Sequence, residues 1–223
     1  MSANEIWTAT YETILMTLFA TALAYLVGLP LGILLHVTSK RGLHPNRALN
    51  FVLGIFTNFL RSVPCLIMTV ILLPFTRAIF GRGTGSWYTM IIPLFFSSFA
   101  YVARIVEQSL ADVPYGEIEA VRSMGASDKQ IIEKVLLREA RPSLLLGAAV
   151  TIVNIIGYTS FAYNIAAGGL IADIWQFYTR NTGDFLTKGV FWIMIILVVI
   201  LVQLIQELGL FLTKKLDKRR IHS

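Results

Sequence analysis

The stretch EAVRSMGASDKQIIEKVLL, residues Glu119–Leu137, differs in character from the rest of the chain. It places six charged side chains in nineteen residues, whereas the 223-residue chain is 56% hydrophobic and only 14% charged. Long apolar runs precede and follow it. The contrast predicts a polar helical segment between two hydrophobic helices, so the flanking runs and this segment have to be explained together.

Five apolar runs are long enough to cross a membrane. A hydrocarbon core of about 30 Å requires about 20 apolar residues per helix, and the mean hydropathy of the chain is +0.69. The period-two alternation of a membrane β-barrel does not appear. The sequence therefore predicts a single all-α integral membrane domain with five transmembrane helices, at residues 11–35, 49–75, 90–110, 144–163 and 189–212. The second run is the least regular, because it contains Asn58, Arg61 and Pro64.

The first run is not predicted to be a cleavable signal. It lacks a basic segment before it, carries Glu5 and Glu12, and is longer than a signal-peptide core. Cys65 is the only cysteine, so neither a disulfide framework nor a thiolate metal site is expected. Packing in an apolar segment is the simplest role for it.

Lysine and arginine are distributed unevenly between the segments that connect these runs. Thirteen lie in the segments on the side of Glu119–Leu137 and four lie on the other side, namely Arg77, Arg82, Arg180 and Lys188. Cytoplasmic segments carry the excess of positive charge. We therefore expect the N-terminus outside and the C-terminus in the cytoplasm. The net charge of +6 is explained by this topology and does not indicate a nucleic-acid partner.

Turn and capping residues predict a helical hairpin over residues 114–141. Pro114 suits the first turn of a new helix, and Gly125 is a natural left-handed residue at its end. Ser127 and Gln130 have the spacing of a capping box for a second helix. The second helix has one apolar face, formed by Ile131, Ile132, Val135 and Leu136. The hairpin is expected to lie against the cytoplasmic surface of the membrane.

Three roles compete for this hairpin. It can be an interfacial amphipathic linker, as in many membrane proteins. A catalytic loop is disfavoured because its acidic residues lack a companion histidine or metal-ligand set. The third role is a docking element for a cytosolic protein.

The spacing Glu119-Ala120-Val121, three residues, Gly125, nine residues, Val135-Leu136-Leu137 resembles the EAA loop of ABC importer permeases. Val121 and Val135 depart mildly from the alanine and isoleucine of that pattern, and Arg138 stands where the family has proline. The resemblance implies the type I ABC importer permease fold. It also implies that the hairpin docks into a groove of a cytosolic ATPase, through Glu119, Ala120, Met124, Gly125 and Ala126.

The same resemblance implies which partners and energy source to expect. The chain has no G-x-x-x-x-G-K-[ST] phosphate loop, so ATP hydrolysis is expected in a partner, and the chain itself is expected to be no enzyme and to need no cofactor or metal. The expected partners are two copies of the ATPase, an extracytoplasmic substrate-binding protein, the membrane lipid and a second copy of the chain. Five spans with one docking hairpin make half a transporter, and a second copy related by two-fold symmetry completes it. The expected location is the cell membrane of a prokaryote.

Further segments resemble the methionine-uptake branch of that family, over about residues 11–210. They are Phe59-Leu60-Arg61-Ser62-Val63-Pro64, Leu73-Pro74-Phe75-Thr76-Arg77, Ala103-Arg104, Val113-Pro114-Tyr115-Gly116, Gly157-Tyr158 and Ala167-Gly168-Gly169-Leu170. Where the branch tends to have small residues and methionine after Gly-Tyr, this chain has Phe161, Ala162, Tyr163 and Asn164, a segment with bulky side chains. The resemblance implies transport of methionine or a similar amino acid.

Polar residues recur at helical spacing in the third and fourth spans. Such residues usually face the protein interior or water, so they are candidates for lining a translocation path, although small polar residues also serve as packing contacts between helices. The candidates are Ser97, Tyr101, Thr151, Asn154, Tyr158 and Phe161. Arg61 is either an intramembrane cation paired with a residue such as Glu107 or an interfacial side chain that reaches the headgroups.

Two other functions remain as alternatives to the importer permease. A stand-alone channel or ion-coupled carrier would need no ATPase. An integral-membrane enzyme is disfavoured because no acid–base or metal constellation stands out.

Overall fold

A computed structural model describes residues 2–216, and every regular element within that range is helical. The predicted all-α fold is therefore confirmed. The helices are α1 (Ala3–Thr38), α2 (Arg47–Ser62), α3 (Cys65–Ile71), α4 (Leu73–Phe80), α5 (Ile91–Ala111), α6 (Tyr115–Ser123), α7 (Asp128–Gln130), α8 (Leu137–Glu139), α9 (Arg141–Tyr158), α10 (Leu170–Arg180) and α11 (Gly189–Leu216), with 3₁₀ turns at Trp87–Met90, Thr159–Ile165 and Phe185–Thr187 and a π-helical turn at Ile131–Leu136.

Four helical segments are long and apolar enough to span a membrane unbroken. They are Ala3–Thr38, Trp87–Ala111, Arg141–Ile165 and Gly189–Lys215, and they contain the predicted runs 11–35, 90–110, 144–163 and 189–212. The first segment begins eight residues before its predicted run, because Ser2 and Glu5 form a capping box at its start.

The predicted second span, residues 49–75, is not one helix. It is divided into α2 and α3, whose axes differ by 95°. Pro64 has no N–H to continue the helical ladder, and the residue before a proline avoids the helical region. Val63 accordingly has φ −80° and ψ 118°. Together α2 and α3 are long and apolar enough for one broken span or a re-entrant element.

The centre of the fold is α5, which packs against α1. Gly28 and Gly32 of α1 make this contact close, because a Cβ at either position would approach α5 backbone: Phe99 O at 2.7 Å and Ala103 O at 2.5 Å, respectively. Small residues at one-turn spacing let helix backbones approach in this way. α9 packs beside this pair and is in turn covered by α11.

The segment after α9 is fastened to α1 by polar contacts. The Glu12 carboxylate accepts a hydrogen bond from the Gly169 backbone N–H at 3.1 Å, and the Thr13 hydroxyl accepts one from the Leu170 N–H at 2.8 Å. Gly168 and Gly169 have φ of +80° and +94°, which favours glycine. These contacts give the Gly168-Gly169-Leu170 segment a structural role: it caps α10 against α1.

Candidate functional site

The polar hairpin has the predicted turn geometry. α6 ends with Met124 as its cap residue, and Gly125 follows with φ +83°. Ser127 and Gln130 form both hydrogen bonds of a capping box at the start of α7. Gly125 has open space around it, since no atom lies within 4 Å of the position that a Cβ would occupy.

The hairpin is attached to the transmembrane helices by a small apolar core. Ile118, Ile131 and Leu136 are buried in a cluster that also contains Leu110 and Val113. The sequence predicted a broader face that includes Ile132 and Val135, which are only partly buried. The π-helical turn explains the difference, because residues five apart stack in a π-helix and Ile131 and Leu136 have that spacing.

A side-chain hydrogen bond links the hairpin to the loop after α1. The His44 Nε2 atom lies 2.6 Å from an Asp128 carboxylate oxygen, with both side chains partly exposed. An exposed pair of this kind contributes little to stability. The contact therefore orients the start of α7, while the apolar core holds the hairpin in place.

The opposite face of the hairpin is exposed and contains the predicted docking residues. Met124 is 77% exposed, and Glu119, Ala120 and Gly125 are exposed as well, whereas Ala126 is partly buried. A large apolar side chain at the tip of a charged segment, next to a glycine with open space, suits insertion into a groove on another protein. Of the linker, docking and catalytic roles, the open side of this tip favours docking.

The structure separates the predicted path residues into two groups. Thr151 is fully buried, and its hydroxyl donates to the Gly147 carbonyl at 2.7 Å. Ser97 is partly buried, with its hydroxyl enclosed and without a hydrogen-bond partner among residues 2–216. Both have surroundings typical of helix packing. The other four, Tyr101, Asn154, Tyr158 and Phe161, keep partial exposure.

Tyrosines from three helices lie close to one another. Tyr158 of α9 is within electrostatic range of Tyr101 on α5, of Arg61 on α2 and of Cys65, and Tyr25 of α1 lies near Tyr101. Tyr25 and Cys65 were not predicted to belong to this group, because neither is part of a helical polar stripe. Only the tertiary structure brings them together, because α1 places Tyr25 near Tyr101 and the break after α2 places Cys65 near Tyr158.

The two arginines in the spans have different surroundings. Arg104 forms an ion pair with Glu107 at 2.7 Å and donates to the Gly54 carbonyl and the Asn58 side chain at 3.0 Å each. Glu107 is therefore the partner of Arg104, and the suggested pairing with Arg61 is wrong. Arg61 instead lies over the Tyr101 ring, 5.7 Å from its centre. This contact places the guanidinium beside the middle of α5.

An acidic group lies where α10 meets α1. Burial, followed by the nearby Glu12 and Glu5 carboxylates, raises the pKa of Asp173 to about 6 against the opposing effect of Arg180. Among residues 2–216, no group of three or more His, Cys, Asp or Glu side chains could hold a metal ion. The acidic group is thus an electrostatic feature of this junction.

Comparison with known proteins gives consistent matches along nearly the whole chain. A family model described as binding-protein-dependent transport system inner membrane component matches residues 28–219. The probable D-methionine transport system permease protein MetI of Vibrio cholerae is 37% identical over 219 residues, 98% of this chain and 95% of that protein. The methionine import system permease protein MetP of Bacillus subtilis is 39% identical over 218 residues, 97% and 95% of the two chains.

Solved structures agree with these matches. A structure of inward-facing conformations of the MetNI methionine ABC transporter has a TM-score of 0.90 and 34% identity, covering 98% of this chain and 100% of that one. An amino acid ABC transporter with histidines has a TM-score of 0.74 at 17% identity, covering 95% and 94% of the two chains, and shows a likeness of fold alone.

Proposed function

We propose, from the premise that this chain belongs to the family of binding-protein-dependent transport system inner membrane components, that it carries methionine or a similar amino acid. It is a multi-pass membrane protein and the permease subunit of an ABC importer, a transport component and not an enzyme, with the type I permease fold. The observation that carries the substrate proposal is the likeness to two methionine permeases, at 37% and 39% identity over nearly the full length.

The proposed partner is a cytosolic ABC ATPase, and the hairpin is its docking element. The apolar core of Ile118, Ile131 and Leu136 fixes the hairpin to α5, while Met124 and Gly125 at its tip stay exposed. A rigidly attached element with an exposed tip transmits motion from a bound ATPase to the transmembrane helices. The hairpin then lies in the cytoplasm, with the N-terminus outside and the C-terminus inside, as the positive charge of the inner segments supports.

The proposed path for the amino acid runs along the partly exposed faces of α5 and α9, past Tyr101, Asn154, Tyr158 and Phe161. One chain supplies only one wall, so the path is completed by a second copy related by two-fold symmetry. An extracytoplasmic binding protein delivers the substrate to the outer mouth. Phe161 lies in the 3₁₀ turn that follows α9, where its bulk would narrow the path.

Uptake into proteoliposomes tests this proposal. The chain is reconstituted with its ATPase and binding protein, and uptake of radiolabelled L-methionine is measured with each common amino acid as an unlabelled competitor. We expect uptake to require ATP and the ATPase, and unlabelled methionine to compete. Uptake without the ATPase would favour a channel or ion-coupled carrier, and failure of methionine to compete would assign another amino acid.

A further inference from the structure

Arg61 is a cation beside the middle of α5, a helix long and apolar enough to span a membrane. Its guanidinium lies 5.7 Å from the centre of the Tyr101 ring, and Tyr101 is the central residue of the 21-residue helix α5. A charged side chain at this depth is costly and usually marks a substrate or ion pathway. The position therefore calls for a compensating group.

No protein group within residues 2–216 neutralises Arg61. It forms neither a hydrogen bond nor an ion pair there, and its contact with the Tyr101 ring is a cation–π interaction. Arg104, one turn further along α5 than Tyr101, has an ion pair and two hydrogen bonds. Two arginines at nearby positions thus differ: Arg104 is used in packing α2 onto α5, and Arg61 keeps its donors free.

The direction of Arg61 follows from its place on α2. Gly54, Asn58 and Arg61 are spaced four and three apart and share one face, and the first two contact Arg104 of α5. The opposite face carries the exposed apolar side chains Val52, Ile55, Phe56 and Phe59. Arg61 is nevertheless exposed. Its side chain therefore points into open space beside α5, away from the apolar face that suits lipid.

A second tyrosine borders the same space. Tyr158, the last residue of α9, lies within electrostatic range of both Arg61 and Tyr101. The aromatic face beneath the guanidinium restrains its plane, while the edge with its N–H donors stays available. A planar fork of donors at low dielectric matches a carboxylate, which accepts two parallel hydrogen bonds from it.

We propose that Arg61 binds the α-carboxylate of the transported amino acid, with Tyr101 beneath the guanidinium and Tyr158 beside it. This inference rests on the proposed function as an amino-acid permease. The carboxylate is common to all amino acids, so Arg61 positions the substrate and selects amino acids over amines and alcohols. Discrimination between substrate side chains falls to other residues. Phe161, three residues after Tyr158, is the nearest candidate along the chain.

Substrate binding to the permease–ATPase complex, without the binding protein, tests the role of Arg61. The complex is placed in lipid nanodiscs, and equilibrium binding of radiolabelled L-methionine is measured together with binding of methioninol, which has an alcohol in place of the carboxylate. Loss of a charged hydrogen-bonding partner at a desolvated site costs about 10- to 100-fold in affinity. We expect Arg61→Gln to lose methionine affinity by that factor and Arg61→Lys to lose less, with methioninol binding unchanged by either.

The control is Arg77→Gln, the same change at an exposed arginine of α4, which should bind methionine as the wild type does. If Arg61→Gln weakens the binding of methionine and of methioninol alike, Arg61 does not act through the carboxylate, and that result overturns the inference. Equal methionine binding by wild type and Arg61→Gln also overturns it, while leaving the proposed function intact.

The proposed substrate and the proposed role of Arg61 can be contradicted separately in this experiment. If the wild type binds another common amino acid in place of methionine, the substrate proposal fails, and the comparison of wild type with Arg61→Gln is made with that amino acid. If it binds no amino acid at all, no carboxylate is held in the permease and the inference is overturned.

Discussion

At the scale of single residues, the features that matter are those where backbone or charge is held away from its ordinary state. Gly125 has φ +83° with open space around it, and Asp173 is a partly buried acid beside two other acids. Packing within the single chain does not explain why either residue is in this state. Their consequences appear on binding a partner or on changing pH.

Gly125→Val is expected to uncouple the permease from its ATPase while leaving it inserted in the membrane. A β-branched residue at positive φ costs about 1–3 kcal/mol, and its side chain projects into the space that the partner would occupy. Membrane abundance, ATPase copurification and uptake are measured together. Gly125→Asn is the matched control, because asparagine tolerates positive φ. Normal copurification and uptake by Gly125→Val would contradict the docking role.

Asp173 is expected to make thermal stability fall as pH rises from about 4 to about 6. Its folded pKa is raised to about 6 from an ordinary value of 3.8, so the folded state binds more protons in this window and loses relative stability as the group ionises. Asp173→Asn should raise the unfolding temperature at pH 7 and flatten this dependence. Asp184→Asn, at an exposed acid nearby, should change neither, and equal pH profiles for wild type and Asp173→Asn would contradict the assignment.

At the scale of elements, the sequence predicted those caps and turns whose geometry depends on neighbouring residues. The capping box of Ser127 and Gln130 and the left-handed Gly125 both depend on residues within one turn, and both were predicted. The 95° break at Pro64 was not, because a proline in a long apolar run is compatible with a kinked span as well as with a turn. The π-helical turn also escaped prediction, since it accompanies the burial of Ile131 and Leu136 in a tertiary core that local sequence does not report.

The closeness of α1 to α5 leads to a prediction about Gly32. A Cβ there would lie 2.5 Å from the Ala103 carbonyl oxygen and 2.6 Å from the Val106 Cβ atom. Gly32→Ala should therefore force the helices apart and destabilise the protein by about 1–3 kcal/mol. Gly189→Ala, where nothing lies within 4 Å, is the control and should be neutral. Thermal unfolding of both variants in detergent decides, and equal unfolding temperatures would show that the interface adjusts without cost.

At the scale of the whole molecule, the orientation and the completion of the path depend on an environment that one chain does not contain. Charge counting predicts the orientation from sequence. For the proposed path residues, helical spacing identifies a shared face without saying what covers it. Thr151 lies on the predicted stripe but is buried against neighbouring helices, whereas Tyr158 on the same stripe keeps partial exposure.

Labelling of single cysteines tests the orientation. Cys65 is the one native cysteine, so Cys65→Ser gives a background into which Ser123→Cys or Gly183→Cys is introduced. In intact cells a membrane-impermeant maleimide should label the Gly183→Cys variant, and the Ser123→Cys variant should react only after the membrane is permeabilised. The reverse pattern would place the hairpin outside and remove the basis for ATPase docking.

The stoichiometry of the purified transporter tests the completion of the path by symmetry. One chain of 24.9 kDa has a single hairpin and one wall of the path, so the working unit should contain two copies of it and two ATPases. Native mass spectrometry of the complex should give that composition, and Gly125→Val should shift the population towards permease without ATPase. Because Gly125 lies at the exposed tip of the hairpin and not on α5 or α9, the same variant should still contain pairs of permease chains. A complex with one permease chain, active in ATP-driven methionine uptake, would show that a single copy encloses the path and would contradict the two-fold arrangement.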